Sequence, residues 1–119
     1  LSDRIRAIDH VKHKIQFLQT DAFQIIEQNR ENKKAYFFID PPYTLAGKRL
    51  YTHFEIDHEK LFYLTSKIQG KFMLTYDDTQ EIRALANKYH LGIRTIPMKT
   101  THHLEKNEII VSDNFNWWA

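Results

Sequence analysis

An α/β fold, with a mostly parallel sheet and an antiparallel hairpin at its C-terminal end, is what this sequence predicts. Three observations carry that expectation. Short apolar runs with strand character alternate with segments whose apolar residues recur at helical spacing, in the order strand-helix-strand-helix-strand-helix-strand-strand. Three of the strand-like runs stop at acids, namely Asp21, Asp40 and Asp77 or Asp78, which places polar groups on the edge where open α/β sheets bind ligands. The last two runs are joined by too short a link for a crossover, so they pair as a hairpin.

Composition bounds the rest. A chain of 119 residues is one domain at most, 1–119, with enough apolar content for a real core. Seventeen Lys and Arg against fifteen Asp and Glu leave a formal charge of +2, so net charge alone gives no polyanion signal. The absence of cysteine excludes disulfides and thiolate metal sites. No run approaches the roughly 20 apolar residues a membrane span needs, and no signal peptide is visible. A soluble cytoplasmic protein is the expectation. The chain begins at Leu1 rather than Met, as a piece of a longer polypeptide would.

Taken in order, residues 1–11 carry Leu1, Ile5, Ile8 and Val11 at helical spacing, with Ser2 as a cap. Residues 14–21 alternate and read as a strand ending at Asp21. A helix over 22–32 follows, containing Phe23, Ile25 and Ile26, with Asp21 as its cap and Lys33 and Lys34 closing it favourably for the helix dipole. Residues 35–39 are a short, fully buried strand. Residues 44–56 are a loop, long for a compact domain, and such loops are usually functional or disordered. Asp57 opens a helix to about Ile68, with Leu61, Leu64 and Ile68 on one face, and Gly70 ends it. Residues 71–76 form another buried strand. Asp77 or Asp78 caps a helix over 79–89 that turns Ile82, Leu85, Ala86 and Tyr89 inward. Residues 93–100 read as a strand whose Pro97 argues for an edge position. A polar connection over 101–107 leads to the last strand, 108–112, and 114–119 form a tail.

The chemistry concentrates at Asp40-Pro41-Pro42-Tyr43. Proline has no N–H to give a ladder, so the apolar strand must end at Asp40, at the carboxyl edge of the sheet. The two prolines stiffen the turn and hold Tyr43 beside the carboxylate. The site then offers a carboxylate, the Pro41 carbonyl and a rigid aromatic face. That set suits a flat, amino-bearing ring, whose amino hydrogens the two acceptors take while Tyr43 stacks on it. Asp and Pro also favour turns generally, so a plain strand-ending turn competes with this reading. In the loop that follows, Lys48, Arg49, Tyr51 and Phe54 interleave cations with aromatics, a pattern that suits nucleic acid as well as a solvated loop.

Other features read as structural. His10 and His13 are three apart and His102-His103 are adjacent, yet no acid or third ligand accompanies them, so no metal site is expected. Asp77-Asp78 reads as a helix cap, and Trp117 and Trp118 as covers for apolar surface.

The order and spacing of these pieces resemble the S-adenosylmethionine-dependent amino-methyltransferases and, more closely, the Dam-type, D12-class adenine-specific DNA methyltransferases. Matching stretches are Thr20-Asp21-Ala22-Phe23, Phe37 to Tyr43, the Tyr51 to Phe54 loop, Asp57 to Leu61, Gly70 to Tyr76 and Asn107 to Val111. The resemblance implies a Rossmann-like methyltransferase fold and direct methyl transfer from S-adenosylmethionine to adenine N6 in double-stranded DNA. It implies catalytic roles for Asp40, Pro41, Pro42 and Tyr43, with the adenine flipped out of the duplex onto Tyr43. It places Asp21, Phe23 and Asp40 at the cofactor, and Lys48, Arg49, Tyr51 and Phe54 at the flipped base or the phosphates.

The family's Gly-rich F-x-G-x-G element and target-recognition region have no counterpart here, since the only glycines are Gly47, Gly70 and Gly92. The chain is therefore expected to be the C-terminal part of such a catalytic domain and inactive alone. The Asp40 strand would then expose an apolar edge, met by direct pairing with the 14–21 strand, by a second copy, or by the missing half of the domain. Two other readings stand beside this one. The first is a non-catalytic remnant that binds nucleic acid or a subunit. The second is a methyltransferase acting on a glutamine amide or another nucleobase.

Overall fold

A computed structural model describes residues 2–42, 56–99 and 105–117 of the chain. Its elements are helix α1 (Ser2–Val11), a single 3-10 turn at Lys12–Lys14, α2 (Ala22–Asn29), strand β1 (Tyr36–Ile39), α3 (His58–Ser66), β2 (Lys71–Asp77), α4 (Gln80–Lys88), β3 (Gly92–Lys99) and β4 (Glu105–Ser112). The helix starts follow from side chains that satisfy orphan backbone donors. Asp21 accepts from the Phe23 N–H at 3.0 Å and Asp57 from the Lys60 N–H at 2.9 Å, both as the sequence predicts. The third cap is Thr79, which accepts from the Ile82 N–H at 3.2 Å. The expected caps Asp77 and Asp78 are engaged elsewhere. Asp77 still belongs to β2, and Asp78 holds the Arg83 guanidinium through two bonds of 2.6 and 3.0 Å.

The strands lie in the order β1-β2-β4-β3. β1 and β2 are parallel, with Ile39 opposite Leu74, whereas β4 runs antiparallel to both β2 and β3. The sheet is therefore mixed, not mostly parallel. Two parallel crossovers remain, β1-α3-β2 and β2-α4-β3, the second stepping over β4, and the one expected through α2 is lost because residues 14–21 do not join the sheet. They form the 3-10 turn and then an extended stretch to Asp21 that carries no ladder. Direct pairing of this stretch with β1 does not occur. A strand pattern needs a neighbouring edge at about 4.8 Å, and here a cleft separates the stretch from β1. The closing hairpin forms as expected, with β4 starting earlier, at Glu105. Pro97 sits on β3, an edge strand, where its missing N–H costs no ladder bond.

Period-two alternation decides which face is buried. Phe72, Leu74 and Tyr76 of β2 and Ile109 and Val111 of β4 are at most 1% exposed, with Phe37 and Ile39 of β1 packed against them. The helices cover this face with Ile26 from α2, Leu61, Phe62 and Leu64 from α3, and Ile82 and Ala86 from α4. Each fully buried Leu, Ile or Phe contributes about 1.5–3 kcal/mol of transfer free energy. The opposite face is barer at β1, where Tyr36 and Phe38 are 69% and 70% exposed. Trp117 lies edge-on to Tyr36 at 5.9 Å between ring centroids, the covering role expected of it, while Trp118 is outside the described residues. Every α1 side chain described is exposed, including Ile5, Ile8 and Val11, so the predicted apolar stripe is present and faces outward.

Gly70 fixes how closely β1 and β2 begin. A β-carbon there would run into the carbonyl oxygens of Ala35 and Asn32. That approach lets the Lys71 N–H reach the Ala35 carbonyl at 2.9 Å and the Gln69 N–H reach Arg30 at 2.7 Å.

Candidate active site

The parallel register brings the carboxyl ends of β1 and β2 to one edge, and there Asp40 finds its partner. The Thr75 hydroxyl donates to Asp40 Oδ1 at 2.6 Å. Ile39 lies opposite Leu74, so the residues that follow each, Asp40 and Thr75, come side by side. Asp40 is solvent-exposed, while Pro41 behind it is buried, so the carboxylate projects from a stiff, anchored turn.

A cleft of about 810 Å³ opens beside this turn, lined by Thr20, Asp21 and Phe23 on one side and by Phe37 to Pro42 on the other. Its size falls in the range of small-molecule sites, and its lining, mostly apolar with two carboxylates, matches their usual make-up. Asp21, Phe23, Asp40, Pro41 and Pro42, which were read from separate stretches of the sequence, thus share one cavity. Asp21 spends one carboxylate oxygen as the α2 cap, and the other has no partner among the described residues. The half-buried Phe23 ring carries the Lys60 ammonium 4.9 Å from its centroid. Tyr43, Lys48, Arg49, Tyr51 and Phe54 lie outside the described residues.

The structure adds a pair that sequence reasoning missed. His58, at the first turn of α3, places Nδ1 2.8 Å from the hydroxyl of Tyr76 on β2, with the rings edge to face. Burial pushes the Tyr76 hydroxyl well above its ordinary range. Burial also lowers the His58 pKa, against the opposing pull of Glu81, Asp77 and Asp57. Thr75 was likewise missed. Its only sequence signal is its place next to the end of a strand parallel to the one that ends at Asp40.

The residues present suit part of S-adenosylmethionine. The second Asp21 oxygen and the Phe23 ring can hold an adenosyl group, as an amino acceptor and an apolar face. Among the described residues lining the cleft there is no Lys, Arg or His, so the carboxylate of the methionine end finds no cationic partner among those. Elsewhere, among the described residues, no group of three or more His, Asp or Glu side chains gathers as a metal site would require, and no helix is long and apolar enough to cross a membrane.

The model of the D12 class N6 adenine-specific DNA methyltransferase family matches residues 2–104. A search of curated proteins finds no match.

Proposed function

Because the chain belongs to the D12 class N6 adenine-specific DNA methyltransferases, we propose that its Asp40 edge holds a flipped adenine while the N6 amino group is methylated. The family acts by DNA adenine methylation with S-adenosylmethionine as methyl donor. The mixed sheet is then read as part of a Rossmann-like methyltransferase domain. The observation that carries the proposal is the Asp40 carboxylate, fixed by Thr75, on the cleft that also contains Asp21 and Phe23.

An exocyclic amine conjugated to a purine is a poor nucleophile, because its lone pair is delocalised into the ring. Asp40 accepts one amino hydrogen and the Pro41 carbonyl accepts the other, which favours a pyramidal nitrogen with its lone pair free. Pro42 keeps the acceptors in register, and Tyr43 stacks on the extruded base. When bound, S-adenosylmethionine supplies a methyl group on a positively charged sulfonium. The chain's own contribution is alignment and electrostatics, with no covalent intermediate on the protein. Asp21 and Phe23 hold the adenosyl end, with Asp40 bordering both ligands. Lys48, Arg49, Tyr51 and Phe54 flank the base or contact phosphate.

The same reading makes 1–119 one incomplete catalytic domain. The 69–70% exposure of Tyr36 and Phe38, together with Phe17 at 87%, supports a further stretch of polypeptide, or a second copy, completing the sheet along β1. A second reading, non-catalytic binding of DNA or a subunit, is favoured by the lack of a Gly-rich F-x-G-x-G element among these 119 residues, whose only glycines are Gly47, Gly70 and Gly92. Labelled methyl transfer separates the two. The protein that carries this chain is incubated with duplex DNA and methyl-labelled S-adenosylmethionine, and the nucleosides are then resolved. Label in N6-methyldeoxyadenosine is the expected result, and no label in DNA supports the binding role. Label in protein would return the glutamine-amide reading.

A further inference from the structure

We infer that Thr75 is a positioning residue for the base site, selecting which oxygen of Asp40 meets the adenine amino group. This rests on the role proposed above for Asp40. Thr75 belongs to β2, an interior strand, where its neighbour Leu74 is paired to Ile39 on one side and Thr75 itself to Ile110 on the other. It is half-buried between Leu74 and Tyr76, both 0% exposed. A β-branched side chain on so fixed a backbone has little χ1 freedom. Asp40, by contrast, is exposed: the prolines that follow hold its backbone, but no packing holds the torsions of its side chain.

The bond between them is 2.6 Å, within the short range of a hydroxyl donating to a carboxylate. A carboxylate has about four lone-pair sites on two oxygens. Thr75 occupies one of those on Oδ1 and stops the group from rotating, which leaves Oδ2 as the unencumbered acceptor for an N6 hydrogen. Without the hydroxyl the carboxylate turns freely, and each productive encounter must first order it.

The test compares 2′-deoxyadenosine with its analogue bearing hydrogen in place of the 6-amino group, both titrated into the protein that carries this chain and followed by NMR. The ratio of the two affinities isolates the amino contact from stacking. In the unsubstituted chain the ratio favours deoxyadenosine, and Asp40→Ala removes that preference. Thr75→Val, which keeps shape and loses the hydroxyl, is expected to lower the ratio roughly fivefold to tenfold with affinity for the deaminated analogue unchanged. Thr75→Ser should restore it. A purely structural role for Thr75 would change the melting temperature or both affinities alike and leave the ratio intact. A preference lost in Asp40→Ala but retained in Thr75→Val overturns the role of Thr75 alone. No preference in the unsubstituted chain overturns this role and the one given to Asp40 together.

Discussion

His58 Nδ1 lies 2.8 Å from the Tyr76 hydroxyl, and this pair joins the first turn of α3 to the carboxyl end of β2. Tyr76 is 0% exposed and follows Thr75 directly, so the pair braces the strand end that carries the Asp40 partner. Phe62 adds a second ring at 5.6 Å from Tyr76. Replacing Tyr76 by Phe keeps the ring packing and deletes the hydroxyl. The expected cost is about 1 kcal/mol, seen as a lower urea midpoint with the slope unchanged.

The same pair gives the fold a defined pH dependence. Burial holds the His58 pKa below its ordinary 6.5, so the unfolded chain takes up this proton first as pH falls. The contribution of His58 is therefore fully present above pH 6.5 and declines below it, until the folded-state pKa is passed. Glu59, hydrogen-bonded to Lys88 and Tyr89, and Asp78, bonded to Arg83, are also shifted down, and they act in a lower window beneath their ordinary 4.5 and 3.8. Melting temperatures measured from pH 8 to pH 5 should hold level down to about pH 6.5 and fall below it in the unsubstituted chain, and stay flatter in His58→Gln.

Gly70→Ala should be among the most damaging small changes outside the core. The added carbon collides with backbone carbonyls of Ala35 and Asn32, which cannot rotate away as a side chain would. Either the β1–β2 pairing opens at its first rung or the loop shifts. Overpacking of this kind costs about 1–3 kcal/mol, measurable by denaturant titration.

The β1 edge makes the opposite prediction. Phe38 is 70% exposed, so Phe38→Lys removes little core and should change stability by less than about 0.5 kcal/mol. A charge there disfavours edge-to-edge association. Sedimentation is expected to show the unsubstituted chain associating as concentration rises and the variant remaining monomeric. A monomeric unsubstituted chain at high concentration would argue against completion of the sheet by a second copy.

Features fixed by local chemistry were legible in the sequence. The strand had to stop at Asp40 because two prolines follow it, Asp21 and Asp57 had to cap helices, and Pro97 had to find an edge. Features fixed by pairing were not. Residues 14–21 carry a strand pattern, but a strand exists only beside another, and the β1 edge is held away by the cleft. The mixed sheet has another cause: the antiparallel β4 inserts between β2 and β3, which run in the same direction. Thr75 and His58 were invisible for a related reason. Each acts through a residue distant in sequence, 35 positions away for Asp40 and 18 for Tyr76. Only the register of β1 on β2 and the seat of α3 reveal those partners.

The proposed methyl transfer depends most directly on Asp40. In the protein that carries this chain, N6-methyladenine formed in duplex DNA from S-adenosylmethionine is quantified by mass spectrometry for the unsubstituted form and for Asp40→Ala. Loss of a preorganised polar contact to the reacting group typically costs 10²–10³ in rate, so methylation should drop at least roughly a hundredfold, with the melting temperature little changed because Asp40 is exposed. Near-normal turnover in Asp40→Ala would contradict the role assigned to this carboxylate.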